Sequence, residues 1–261
     1  MGTDPTSITS PSNPTIKAAA ALHRRRARTR TGTFLVEGRR EVLRALAAPV
    51  EVRSLFLAPA FGPVDDVAEA AEARGVVPLR VGERAFRKLS VRQRPDGVAA
   101  VVERVPLDLD RIAASDLVLV ADGIEKPGNL GAMLRTADAV GAAVVVADPV
   151  VDVFNPNVVR ASQGALFTVP LAVAEATDAL AALPPRRLLV ARPDATTPYW
   201  TEDLRGPTAV VVGREDRGVS EPWLRAGAGI VVPMRGVVDS LNASVAAAVV
   251  LYEALRQRLT A

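Results

Sequence analysis

The chain has 261 residues, is 49% hydrophobic and carries 32 basic against 29 acidic side chains, a formal net charge of +3 with a pI near 9.8. That length and apolar content suffice for one large domain or two modest ones, and two are expected. With no cysteine and one histidine, His23, the composition excludes disulfides and leaves a conventional zinc site almost no ligands, so a metal-free cytoplasmic protein is expected.

Residues 1–15 are rich in Ser, Thr, Pro and Gly without an apolar period and read as a flexible leader. Met1-Gly2-Thr3-Asp4-Pro5-Thr6 fits the loose myristoylation pattern, which is too short to weigh, and the amino end lacks the pattern of a signal peptide. Asn13-Pro14 opens a helix whose apolar and alanine positions run from Ile16 to Leu22 and which becomes basic through Arg30. Phe34–Val36 then reads as strand, Arg39–Ala47 as helix, Arg53–Ala58 as strand, Val64–Ala73 as helix, Val77–Val81 as strand, Glu83–Leu89 as a short helix and Gly97–Val105 as strand. This is a small α/β layer of its own.

Pro106-Leu107-Asp108-Leu109-Asp110 has the composition of a linker, which puts a boundary near residue 108 and divides the chain into 1–15, 16–107 and 108–261. Beyond it Leu117–Ala121, Ala142–Ala147, Arg187–Ala191, Thr208–Val212 and Ile230–Val232 are short apolar runs, suited to parallel strands buried on both faces. A last helix spans Leu241–Leu259. No apolar run approaches the ~20 residues that cross a bilayer.

Three segments carry chemistry. Gly128-Asn129-Leu130-Gly131 precedes a helix bearing Arg135; it reads either as an asparagine-capped turn or as a site where glycines admit a polymer backbone and Arg135 meets an anion. Its spacing is not the Gly-x-Gly-x-x-Gly of a dinucleotide turn. Gly213-Arg214-Glu215-Asp216-Arg217-Gly218 would ordinarily be a solvated loop, but it follows a buried strand at its carboxyl end, where open α/β sheets hold ligands, which raises Glu215 above an average surface acid; Ser220 or Asp216 alternatively caps the next helix. Val232-Pro233-Met234 leads to Ser240-Leu241-Asn242-Ala243-Ser244, residue types that also serve as ordinary caps.

In this order and spacing the segments resemble the signature motifs of the SpoU (TrmH-like) RNA 2′-O-ribose methyltransferases of the knotted SPOUT superfamily. The resemblance implies an α/β fold with a trefoil-knotted, mainly parallel methyltransferase domain, the knot running from about Val210 to Val245. Ile8-Thr9-Ser10, Asn13-Pro14 and Phe34–Gly38 resemble the small RNA-binding domain, similar to a ribosomal-protein fold, often fused before it. S-adenosylmethionine is then the expected cofactor, its adenine held by backbone near Gly213, Val232 and Leu241, with Ala191 and Met234 lining the pocket. Asn129, Arg135, Glu215, Ser240 and Asn242 match the positions linked to catalysis and RNA placement. A homodimer through the knotted domain is implied, with Val245–Leu251 in the interface. Similar proteins include ribosomal RNA methyltransferases, among them antibiotic-resistance enzymes of actinomycetes, whose source would suit this arginine-rich chain.

The implied reaction is in-line attack of a ribose 2′-oxygen on a sulfonium methyl carbon. Positioning alone lowers such barriers by roughly 7–11 kcal/mol in favourable cases. The family proposal makes Arg135 the base, but neutralising a guanidinium at pH 7 costs roughly 7 kcal/mol or more, so Arg135 is read as orienting ribose and phosphate and stabilising a developing alkoxide, with Asn129 fixing the ribose or Arg135, and Ser240 and Asn242 holding phosphate and the motif loops. Arg24, Arg25, Arg26, Arg28 and Arg30, followed by Arg39, form the expected phosphate footprint, or else a solvated basic helix. Large-subunit ribosomal RNA is the expected substrate. Transfer RNA, or RNA binding without catalysis, stand as alternatives.

Overall fold

A computed structural model of the chain describes residues 7–260. Two compact units result: one runs to Val105 and also holds Asp152–Phe167, and the other holds Pro106–Val151 and the chain from Thr168 onward.

The first unit departs at once from the expected leader. The Ile8 amide donates to the Arg80 carbonyl at 2.9 Å and the Gly82 amide to the Ile8 carbonyl at 3.0 Å, so backbone pairing anchors this stretch. Residues 1–6, with the myristoylation pattern, lie outside the described residues. Helix α1 (Pro14–Ala21) starts where Asn13 Oδ1 accepts the Thr15 amide at 2.8 Å, ahead of a proline whose missing N–H costs nothing there. The single basic helix expected through Arg30 is broken, because α2 (Arg25–Thr31) begins anew after Arg24 and closes on Gly32 at φ 67°. Arg28 accounts for the break. It is 1% exposed, and its Nη1 donates to the Leu22 and His23 carbonyls, at 2.8 and 3.0 Å, at the end of α1.

Strands β1 (Thr33–Glu37), β2 (Val52–Leu57), β3 (Pro78–Arg80) and β4 (Val98–Glu103) alternate with α3 (Arg39–Ala47), α4 (Asp65–Ala73) and α5 (Glu83–Leu89). The sheet order is β1-β4-β2-β3, with β4 antiparallel to both neighbours and β3 parallel to β2. Ile16, Phe56, Phe86 and Leu89 fill its core.

The second unit opens with β5 (Leu117–Asp122), α6 (Pro127–Val140) and β6 (Ala143–Ala147). The chain then returns to the first unit through α7 (Pro156–Ser162). There the Phe154 ring lies 4.8 Å from Phe34, and Arg44 Nη1 donates to the Gln163 carbonyl at 2.8 Å. A single boundary near residue 108 does not describe this excursion. Next come β7 (Leu171–Ala174), α8 (Ala176–Ala182), β8 (Arg187–Ala191), β9 (Thr208–Val212), α9 (Glu221–Ala226), β10 (Ala228–Ile230) and α10 (Ala243–Leu259). The sheet reads β10-β8-β9-β5-β6-β7, parallel throughout. Strands β5, β6 and β9 are buried along their whole length, which is why their sequences are apolar runs without alternation.

Two element boundaries shape the loop that borders this sheet. Strand β10 stops at Ile230, short of the expected Val232, and α10 starts at Ala243 instead of Leu241, because Asn242 Oδ1 caps it by accepting the Ser244 amide at 3.0 Å. Across residues 232–241 no backbone group forms a hydrogen bond with another backbone group among the described residues. Among the described residues no helix is long and apolar enough to cross a membrane.

Candidate active site

The carboxyl ends of β5, β8, β9 and β10 lie along one edge of the parallel sheet. After β9 the chain doubles back: Arg214 and Gly218 exchange backbone hydrogen bonds at 3.0 Å, which closes a tight loop over residues 214–218. A Cβ on Gly213 would stand 2.3 Å from the Gly218 carbonyl carbon and oxygen, so only glycine admits this crossing. The loop is tied to β5 by Asp122, whose Oδ2 accepts the Ser220 amide at 2.6 Å and whose Oδ1 accepts from Ser220 Oγ at 3.2 Å. Asp122 is 2% exposed, and burial raises its carboxyl above the usual range against those hydrogen bonds.

That loop projects Glu215. Its Oε1 accepts Asn129 Nδ2 at 2.8 Å and Asn242 Nδ2 at 2.9 Å, and Asn242 Nδ2 also reaches Asn129 Oδ1 at 3.2 Å. Oε2 pairs with Lys126 Nζ. The Lys126 ammonium first, and the Asn129 amide second, hold the carboxyl below the ordinary glutamate range. Arg214 is engaged with Glu125 and Asp216. Residues 129, 215 and 242 are thus brought together from three segments, and the packing of α10 on α6 makes this possible.

The reading of Asn129 as a helix cap falls: the cap position is Lys126, Pro127 opens α6, and Asn129 lies inside the first turn. Nor does Asn129 meet Arg135, since its amide goes to Glu215. Arg135 is exposed on α6 with no hydrogen bond or ion pair to another described residue. Asn242 caps α10, as its cap reading expects, and the same side chain also donates to Glu215. Ser220, not Asp216, is the residue before α9, and its hydroxyl serves Asp122 instead of the helix.

Beside this cluster lies a cavity of about 410 Å³. Ala191, Gly213, Val232, Met234 and Leu241, the five expected cofactor-lining residues, all border it, as do Glu215 and Ser240. Lys126 and Asp122 were missed from sequence. Lys126 offered one signal, as one of three lysines in an arginine-rich chain; Asp122 offered none, because its role comes from a partner 98 residues away.

In the first unit Arg24, Arg25, Arg26 and Arg30 are exposed. Arg28 is not part of that surface: its Nε and Nη2 donate to Asp152 Oδ2 at 2.9 and 2.6 Å in a buried pair. Arg39 is half exposed and paired with Asp66 at 2.8 Å. No cluster of three or more metal-ligating side chains occurs among the described residues.

A family model described as the SpoU rRNA Methylase family matches residues 116–252, and one described as an MRM3-like substrate binding domain matches residues 13–100. The chain is 32% identical over 250 residues to the 23S rRNA (guanosine(2553)-2′-O)-methyltransferase RlmP of Bacillus subtilis, covering 94% of this chain and 97% of that one. Among solved structures it is similar to an AdoMet-bound rRNA methyltransferase from Sinorhizobium meliloti, at 30% identity and TM-score 0.86 over 96% of this chain and 97% of that one. It is also similar to the SpoU methyltransferase AviRb from Streptomyces viridochromogenes in complex with AdoMet, at 31% identity and TM-score 0.83 over 95% and 99% of the two chains.

Proposed function

The chain belongs to the SpoU rRNA methylase family, and on that premise we propose how its residues divide the work of methyl transfer. It is an S-adenosylmethionine-dependent RNA 2′-O-methyltransferase acting on ribosomal RNA. The observation that carries the residue assignment is Glu215, which borders the 410 Å³ cavity while accepting the amides of Asn129 and Asn242.

The cavity suits the cofactor. Its volume is within the ~300–1,000 Å³ usual for small-molecule sites. Val232, Met234 and Leu241 give it apolar walls, and the backbone of residues 232–241 keeps donors and acceptors free of other backbone groups among the described residues. Gly213, Val232 and Leu241 would hold the adenine by backbone, with Ala191 and Met234 lining the pocket. When bound, the cofactor supplies an electrophilic methyl group on a sulfonium.

The chain's own residues then align the acceptor. Glu215 fixes the amide orientations of Asn129 and Asn242, and Asn129 so held positions the ribose. Arg135, with no partner among the described residues, grips ribose and an adjacent phosphate with its planar fork and stabilises negative charge as the 2′-oxygen loses its proton to water. Ser240 stands at the cavity wall to hold the motif loop and phosphate. The trefoil threading expected between about Val210 and Val245 belongs to the same reading, since that stretch contains the Glu215 loop and residues 232–241. In the first unit Arg24, Arg25, Arg26 and Arg30 meet RNA phosphates, and Arg39 does so on release from Asp66.

A homodimer completes the proposal. Ala247, Val250 and Leu251 are buried within the unit and are spent there, so the partner-facing stripe of α10 is Val245, Val249 and Tyr252, spaced i, i+4, i+7. Val245 and Tyr252 are about half exposed, at 47% and 52%. Light scattering after size-exclusion chromatography should give twice the monomer mass.

The deciding experiment maps 2′-O-methylation across ribosomal RNA and transfer RNA with and without the protein. One new methylated ribose in large-subunit RNA is expected. A new mark confined to transfer RNA would replace the substrate, and none anywhere would leave an RNA-binding protein without catalysis.

A further inference from the structure

Lys126 is the odd cation of this site. It occupies the cap position of α6 and makes no cap hydrogen bond, and a positive charge at the positive end of a helix dipole is unfavourable. Its ammonium is placed instead on Glu215 Oε2. The carboxylate is thereby partitioned: one oxygen serves the cation and the other accepts both asparagine amides, at 2.8 and 2.9 Å.

The other charges around Glu215 do not share this task. Arg214, on its own loop, is taken by Glu125 and Asp216. Arg192, after β8, faces Asp194, and Asp239 borders the cavity. Arg217 sits against Asp216, and the start of α10 brings only Asn242 and the Ala243 amide. Among the described residues Lys126 is the one cation bonded to Glu215. A second, smaller cavity of about 200 Å³ is bordered by Lys126, Asn129 and Asp216 and shares Glu215, Arg214 and Ala243 with the larger one. Glu215 is therefore a common wall.

We propose that Lys126 is a positioning residue for the methyl transfer, clamping Glu215 by one oxygen so that the other stays available to orient Asn129 and Asn242. The role explains a lysine at this position in a chain whose basic residues are mostly arginine. A compact ammonium contacts one oxygen as a point charge, whereas a guanidinium fork takes both oxygens of a carboxylate side by side and would displace the amides. The inference rests on the methyltransferase reading for its kinetic consequence, but not for its first readout.

That readout is a carbon-13 NMR titration of the Glu215 carboxyl, assigned by its loss in Glu215→Gln, in the full chain and in Lys126→Met and Lys126→Arg. Lys126→Met should raise the Glu215 midpoint and move the acidic limb of kcat upward with it. Lys126→Arg should keep the midpoint low yet reduce kcat about tenfold, the equivalent of one displaced hydrogen bond to a charged group. An unmoved midpoint in Lys126→Met, or a Lys126→Arg enzyme within twofold of normal kcat, would overturn the proposal. So would a raised KM for RNA with kcat and midpoint unchanged, the signature of a simple phosphate contact. Because the titration needs no turnover, a protein that showed the NMR shifts but methylated no RNA would count against the assigned activity and not against the clamp.

Discussion

Asn242 Nδ2 lies 2.9 Å from Glu215 Oε1 while Asn242 Oδ1 accepts the Ser244 amide at 3.0 Å. One side chain thus ends the cofactor-side loop, starts α10 and orders the Glu215 carboxylate. Replacing it with aspartate keeps the cap, because Asp and Asn serve equally there, but sets a second carboxylate against Glu215. Asn242→Asp is expected to melt close to the unaltered protein and to lose about 10- to 100-fold in kcat, the equivalent of one hydrogen bond to a charged group. Calorimetry and single-turnover kinetics check the two halves separately.

Gly213→Ala tests the loop crossing. An added Cβ would stand 2.3 Å from Gly218 backbone atoms, and relieving such overpacking costs about 1–3 kcal/mol. Since Gly213 also borders the larger cavity, S-adenosylmethionine affinity measured by calorimetric titration should fall by about 5- to 150-fold, as 1.4 kcal/mol is one decade. Unchanged affinity would remove Gly213 from the cofactor site.

The basic cluster should separate into two behaviours. Arg28→Ala leaves Asp152 buried without its partner and should cost about 3–5 kcal/mol of stability by chemical denaturation. Replacing Arg24, Arg25 and Arg26 with Ala should leave stability nearly unchanged and flatten the salt dependence of RNA binding by about 0.7 in log–log slope for each phosphate no longer engaged. An unaltered slope would mark α2 as an ordinary solvated surface.

Glu215 titrates below its ordinary value because Lys126 and Asn129 bind its charged form. A carboxylate depressed on folding contributes stability that is present above its unfolded value and is lost as pH falls through the lower folded value. The melting-temperature gap between the unaltered protein and Glu215→Gln should therefore be constant near neutrality and narrow as pH drops below the ordinary glutamate range. A gap that instead widened on acidification would reverse the assigned sign.

Arg135→Lys keeps the charge and removes the planar fork. Cofactor affinity should be unchanged, since Arg135 does not border the cavity, while methyl transfer drops by at least about tenfold. Near-normal turnover would rule out the positioning role.

Much of the fold was written locally. Apolar runs without alternation announced β5, β6 and β9 because parallel strands buried on both faces need no polar side, and α3 and α5 match their expected bounds residue for residue. A short strand of ordinary composition such as β7 carried too little pattern to separate it from a loop, whereas the three-residue β3 falls inside the expected Val77–Val81. In the site, the five residues expected to line the cofactor all border the larger cavity, although they come from three separate stretches of chain, at or after the ends of β8, β9 and β10.

What the sequence determined by itself was the family, the chemistry and the residue types at the sheet edge, since motif order is a property of the chain. Only tertiary structure decided which groups meet. It turned Arg28 from a presumed RNA contact into half of a buried pair with Asp152, drew Asp152–Phe167 into the first unit, and set Lys126 on Glu215. Each outcome depends on partners 89 or more residues away, where burial, charge pairing and hydrogen-bond satisfaction act through space and leave no local pattern to read.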